Sequence, residues 1–230
     1  MAAGNPRIGF IGVGLMGHGI AKNLLAKGFP LTVRAHRNRA PVDDLVAKGA
    51  KEASSHAELA RNAEIVFLCV TGAPQVEEAI FGADGVAKGA QKGLTIIDTS
   101  TSEPATTTKM REALAPLGVR FVDAPLARTP VEAEQGRLNI MVGADEATFA
   151  ELKPVFAAFD RVNLSPERSP LSSILPTIIW NNPEFTAPAE INSWSLRSDN
   201  PDFAAAAQAS AVAVQIACAT KLLMSLIMRP

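Results

Sequence analysis

The apolar positions of this chain fall into short solid runs that alternate with runs at helical spacing. Residues 7–11 form an apolar run that ends in glycines, the pattern of a strand buried on both faces. Residues 18–27 then place Ile20, Ala21, Leu24 and Leu25 on one helical face, with Gly28 as a C-terminal stop. The pattern continues with a strand over 30–35, a short helix over 42–48 closed by Gly49, a helical turn over 57–62 and a strand over 65–70. Residues 75–81 read as helix, 82–85 as a turn and 94–98 as strand. Residues 104–117 read as a helix whose apolar face includes Met110, Leu114 and Leu117. Strands over 120–122 and 138–142 and a helix over 146–159 complete the series. Such alternation predicts βαβ units: an α/β domain with a mainly parallel sheet and helices on both faces.

The texture changes after Asn163. Residues 164–202 carry six prolines, many Ser and Asn, and little periodicity, so they read as an irregular segment. Residues 203–228 return to a helix. The expected organisation is therefore a first domain over 1–163 and an atypical second part over 164–230. The stretch 203–228 has the length of a membrane span, but it is mostly Ala and is interrupted by Gln208, Gln215 and Lys221. A buried helix, not a membrane one, is the expectation. Its apolar face needs covering, which points to a homo-oligomer.

Composition narrows the class. Hydrophobic residues make up 47% and charged residues 20%, as in an ordinary soluble α/β protein, and there is no Tyr. A formal net charge of −1 gives no general attraction to nucleic acid or membrane. The two cysteines, Cys69 and Cys218, suggest no disulfide framework, and a reducing, cytoplasmic setting is expected. No signal peptide is read at the N-terminus, and no metal-ligand spacing is visible.

Chemistry enters with residues 12–17. Gly12-Val13-Gly14-Leu15-Met16-Gly17 is a G-x-G-x-x-G between a strand and a helix. The first glycine permits the tight turn, the second lets backbone approach a pyrophosphate, and the third lets helix and strand pack closely. Free N–H groups at the helix start then face phosphate. This is the pattern of a Rossmann-type dinucleotide site. Where an NAD site places an acid at the end of the second strand, this chain has Val33-Arg34-Ala35-His36-Arg37-Asn38-Arg39. Arg34, His36 and Arg37 suit a 2′-phosphate, so NADP is favoured over NAD. A solvated basic loop is the competing reading.

Residues 8–17, followed by Ala21-Lys22-Asn23-Leu24, resemble the opening signature of the β-hydroxyacid dehydrogenases, the family of 3-hydroxyisobutyrate dehydrogenase and tartronate semialdehyde reductase. Ile97-Asp98-Thr99-Ser100-Thr101 is similar to the family's Asp-x-Ser-Thr element, which implies that Thr101 lies by the cofactor. Val122-Asp123-Ala124-Pro125, Gly136-Arg137-Leu138 and Met141-Val142-Gly143 resemble its substrate-side strands. By the same likeness Val70, Thr71 and Gln75 fall where the family contacts the nicotinamide ribose and pyrophosphate. The resemblance covers residues 7–160. It implies hydride transfer between a nicotinamide and the hydroxyl-bearing carbon of a small hydroxy acid, with a lysine ammonium serving the carbonyl oxygen.

Two departures stand out. The family's Ser-Gly-Gly substrate loop is replaced by Leu126-Ala127-Arg128-Thr129. Arg128 offers a fork for a carboxylate or sulfonate and Thr129 a hydroxyl donor, against the alternative of a surface arginine. The family's Gly-x-Gly-x-x-x-Lys element is also missing. Positions 176–178, where its lysine is expected, are Pro-Thr-Ile, and no glycine follows Gly143. Lys153 belongs to the last helix of the first domain; residues 219–228 resemble the family's catalytic helix, which implies Lys221 as the catalytic lysine, or else it is a lysine snorkelling from an Ala-rich helix. Most of the family's all-helical second domain is expected to be absent.

Three functions follow from these residues. The first is an NADP-dependent reductase of a small acidic aldehyde, or the reverse 3-hydroxy acid dehydrogenase. A catalytically silent dinucleotide-binding module is the second. The third is an imine reductase, for which Asp160 and Asp202 are the nearest proton-donor candidates.

Overall fold

The computed structural model describes residues 4–160 together with the strand Thr177–Ile179. The first half of the chain folds as β1 (Ile8–Ile11), α1 (Leu15–Ala26), β2 (Leu31–Val33), α2 (Ala40–Ala47), β3 (Lys51–Glu52), α3 (His56–Arg61), β4 (Ile65–Leu68) and α4 (Ala73–Phe81). It continues with β5 (Thr95–Asp98), α5 (Pro104–Leu114), β6 (Arg120–Asp123), β7 (Leu126–Ala127), α6 (Pro130–Glu134), β8 (Asn139–Ile140), β9 (Val142–Ala144), α7 (Glu146–Phe156) and β10 (Thr177–Ile179).

Six strands run parallel in the order β3-β2-β1-β4-β5-β6, and β9 and β10 extend the sheet antiparallel beyond β6. This is a Rossmann-type sheet. The chain moves to one side of β1 through β2 and β3, then crosses to the other side at β4, so a crevice opens beyond the carboxyl ends of β1 and β4.

Both faces of the sheet are buried. Phe10, Phe67, Ile97 and Val122 point into one apolar cluster, whereas Ile11, Val66, Leu68, Ile96 and Phe121 point into the other. Alternate residues of one strand serve opposite faces, so the strands read as solid apolar runs. Phe10 stacks on Phe67 with ring centroids 5.6 Å apart, and Phe159 meets Phe67 edge-on at 5.8 Å. Full burial of such a side chain stabilises the fold by roughly 1.5–3 kcal/mol.

Several expectations need adjusting. The first helix starts at Leu15 inside the glycine motif, three residues before the apolar face makes it visible. The helix expected over 104–117 ends as α-helix at Leu114, and a 3-10 turn over Ala115–Leu117 leaves Leu117 45% exposed while Met110 and Leu114 are buried. The single strand expected over 138–142 is two: β8 pairs with β7 in a small ribbon, and β9 joins the main sheet. Residues 177–179, expected to be irregular, form β10 against β9.

Candidate functional site

The crevice is built on the turn after β1. Gly12 has φ +95, and a Cβ there would sit 2.3 Å from the Cys69 carbonyl oxygen, so only glycine fits between β1 and the end of β4. A Cβ on Gly17 would sit 2.0 Å from the Gly12 carbonyl oxygen, which draws α1 down onto the turn. Gly14, by contrast, faces open space: a methyl group there would meet nothing within 4 Å. Gly14 is also the N-cap of α1 and supplies no side chain, so the first-turn amides gain no side-chain cap and no acidic residue lies in that turn. Val13 is buried, Met16 packs partly against the core, and Leu15 is 79% exposed at the mouth. Open space in front of uncapped helical amides, beside close-packed Gly12 and Gly17, fits a pyrophosphate.

The neighbouring loops are tied to this turn by short bonds. Cys69 N donates to the Ile11 carbonyl (2.9 Å), Val70 N to Ser100 Oγ (3.0 Å), and Thr99 Oγ1 to the Leu68 carbonyl (2.7 Å). Val70 lies against Gly12, and Gly72 lies between the Thr101 carbonyl and the Gln75 side chain. The structure thus gathers Val70, Thr71, Gln75 and Thr101 at the carboxyl ends of β4 and β5, next to the glycine loop.

Beyond β2, Arg34 is half-buried, and His36 and Arg37 are exposed. Arg39 is engaged elsewhere: its guanidinium donates to both Glu52 carboxylate oxygens (2.9 Å each) and to Asp43 (3.1 Å). His56, at the start of α3, belongs to no motif that would single it out in the sequence. Burial, with Arg34 and His36 adding positive charge nearby, lowers its pKa to about 4. Burial is the main cause, Arg34 and His36 add to it, and Asp84 opposes it.

The loop after β7 is unusual in its backbone. Arg128 has φ +86, the one positive value at a non-glycine position among the described residues. Its Nε donates to Asn139 Oδ1 on β8 (3.2 Å). Holding a non-glycine residue there costs about 1–3 kcal/mol, and such strain collects at functional loops. Thr129 lies at the start of α6. It caps α6, accepting from Val131 N (3.3 Å) and donating its hydroxyl to Glu132 in a capping box. Its single O–H is therefore engaged within the loop.

Two further acids, Asp98 and Asp123, face each other across paired positions of β5 and β6. Asp98 is fully buried and accepts from Ser100 N (2.9 Å) and Ser102 Oγ (3.0 Å), yet burial still raises its pKa. Burial, then the neighbouring Asp98, pushes Asp123 up to about 6. Among the described residues no group of His, Cys, Asp and Glu is arranged to hold a metal ion, and no helix is long and apolar enough to cross a membrane. Asp160 is 6% exposed and bridges to Leu138. Lys221 and Asp202 lie outside the described residues.

Known proteins agree with this geometry over the same span. Residues 7–164 match the family model of the NAD binding domain of 6-phosphogluconate dehydrogenase. The 2-hydroxy-3-oxopropionate reductase of Escherichia coli (strain K12) is 38% identical over 151 residues, which is 65% of this chain and 51% of that protein. The solved 3-hydroxyisobutyrate dehydrogenase of Salmonella typhimurium is 32% identical with a TM-score of 0.63, covering 68% of this chain and 54% of that one. A structure of Psf3 in complex with NADP+ and 2-OPP is 30% identical with a TM-score of 0.62, covering 66% and 54%. The chain spans about half the length of the curated relatives it matches. Through residues 7–164 the chain belongs to the β-hydroxyacid dehydrogenases that share the NAD-binding domain of 6-phosphogluconate dehydrogenase.

Proposed function

We propose that this chain binds NADP at the glycine loop and serves the interconversion of a small acidic aldehyde and its 3-hydroxy acid. One observation carries the reading: uncapped first-turn amides of α1 face open space at Gly14, and β2, which pairs in parallel with β1, leads into Arg34, His36 and Arg37. The amides of residues 15–17 hold the pyrophosphate, and Arg34 and Arg37 pair with the 2′-phosphate. Psf3, which was solved with NADP+, supports that choice of dinucleotide. Val70, Thr71, Gln75 and Thr101 border the nicotinamide side. When bound, the dinucleotide supplies the hydride chemistry. Arg128 holds the substrate's carboxylate, and Lys221 holds the proton exchanged at the substrate oxygen. We place the protein in the cytoplasm as a homo-oligomer, on its composition and its Ala-rich segment.

The test is NADPH oxidation by the full chain against a panel of short semialdehydes, with Lys221→Ala and Arg128→Ala alongside. Turnover that falls at least a hundredfold in Lys221→Ala and shows a raised KM in Arg128→Ala is the expected result. Unchanged turnover in Lys221→Ala removes that lysine from the chemistry. A second reading rests on the family match stopping at residue 164 and the absence of glycine after Gly143. On it the chain is a dinucleotide-binding module without turnover. NADP binding with no oxidation of NADPH by any aldehyde of the panel selects that reading.

A further inference from the structure

The short helix α6 that follows Arg128 is fastened to the dinucleotide helix α1 by backbone contact, hydrogen bonds and charge. A Cβ on Gly19 would lie 2.5 Å from the Ala133 carbonyl carbon, so the two backbones touch where any side chain would separate them. Glycine weakens a helix interior, and here that weakness permits the close approach. One turn later, Asn23 Nδ2 donates to the Ala133 carbonyl (3.0 Å) and the Glu134 carbonyl (3.4 Å), and within its own helix to the Gly19 carbonyl (2.8 Å). The first two carbonyls end α6, and that of Ala133 also accepts from Gly136 N (3.2 Å). Gly136, with φ +64, closes over the same amide: a Cβ there would lie 2.9 Å from Asn23 Oδ1. Charge reinforces the seam. Glu134 pairs with Lys22, and its Oε1 lies 2.6 Å from His18 Nδ1, whose Nε2 lies 2.8 Å from Asp44 Oδ2 on α2.

The same two turns of α1 that carry His18, Gly19, Lys22 and Asn23 begin at the glycine loop. We infer that Asn23 is a positioning residue: it locks the Arg128 loop to α1, so that dinucleotide held at residues 12–17 steadies residues 126–136. This inference rests on the dinucleotide reading above. Asn23 touches neither dinucleotide nor substrate in that reading, and acts through α6. Ordering of the first turn of α1 passes through a chain of packed backbone and hydrogen bonds to the loop.

Amide hydrogen exchange on the full chain, with and without saturating NADP+, tests this without relying on turnover. In the unaltered chain NADP+ slows exchange at least fivefold over both 12–19 and 126–136. In Asn23→Ala the protection of 12–19 persists, and the response of 126–136 falls below twofold. Glu134→Gln, which leaves the core untouched, gives an intermediate response and decides the matter if Asn23→Ala does not fold. If both variants keep the fivefold response at 126–136, or if the unaltered chain responds at 12–19 alone, the inference is overturned and the dinucleotide reading stands. No response at 12–19 in the unaltered chain overturns both.

Discussion

The dinucleotide side and the substrate side of this domain are assembled in opposite ways. On the dinucleotide side the working parts are backbone amides, and their placement follows from three glycines within six residues. On the proposed substrate side the working part is a side chain, Arg128, in a left-handed conformation with its Nε on Asn139 of β8, and the helix that follows it, α6, is tied to Asn23, Lys22 and His18 of α1. A site made of local backbone tolerates drift elsewhere in the chain. A site held by long-range contacts moves whenever its anchors do.

Substitutions at the glycines break the local half most sharply. Gly12→Ala forces a Cβ against the Cys69 carbonyl at φ +95. A loss of about 2–6 kcal/mol of stability is expected from overpacking plus backbone strain, with dinucleotide affinity down at least a hundredfold, by denaturant unfolding and calorimetry. Gly14→Ala meets no atom within 4 Å. Its stability should stay within about 0.5 kcal/mol, while dinucleotide affinity falls about tenfold because the methyl occupies the volume left for pyrophosphate. Equal loss of stability in the two variants contradicts the division of labour between these glycines.

The acid pair at the carboxyl ends of β5 and β6 gives the next largest effect. Asp123 has its folded pKa raised from 3.8 to about 6, chiefly by burial and then by Asp98. Between those values the native chain holds the proton that the unfolded chain has released. Stability contributed by the protonated carboxyl is therefore full below pH 3.8 and lost as pH rises to about 6. Asp123→Asn should stabilise the protein by on the order of 1–3 kcal/mol at pH 7, with the gain vanishing below about pH 4. Melting temperature against pH for both proteins checks this. A gain of equal size on the two sides of that window sinks it.

Two smaller effects separate the arginines. Arg128→Gly removes the left-handed strain together with the bond to Asn139. These nearly cancel, so stability should change by no more than about 1 kcal/mol, while affinity for a 3-hydroxy acid in the presence of NADP+ falls at least tenfold. Arg39 is held by Glu52 and Asp43, which raise its pKa further. Arg39→Ala should leave NADP affinity within twofold, whereas Arg34→Ala should lower the preference for NADP over NAD about tenfold. Competitive titration with the two dinucleotides measures both.

The same contrast decides how much is legible in the sequence. The sheet strands β1 and β4 are solid apolar runs because both faces are buried, and the glycine motif marks the turn by itself. β3 leaves no apolar trace because Lys51 and Glu52 are both exposed and join β2 through backbone bonds. α6 does carry a readable signal, missing from the expected elements: Thr129 and Glu132 form a capping box with Pro130 at the first helical position. Arg39 looks equivalent to Arg34 and Arg37 because nothing local announces Glu52, thirteen residues on, as its partner. Asn23 stands out by its motif, yet its partners are 110 and 111 residues away, and no spacing rule reaches that far.

Isothermal titration of the full chain with NADP+ and, separately, NAD+ decides whether the glycine loop holds a dinucleotide. One saturable site for NADP+ per chain is expected, with affinity at least tenfold above that for NAD+, and weaker binding in Gly14→Ala. No heat and no change in melting temperature with either dinucleotide would contradict it.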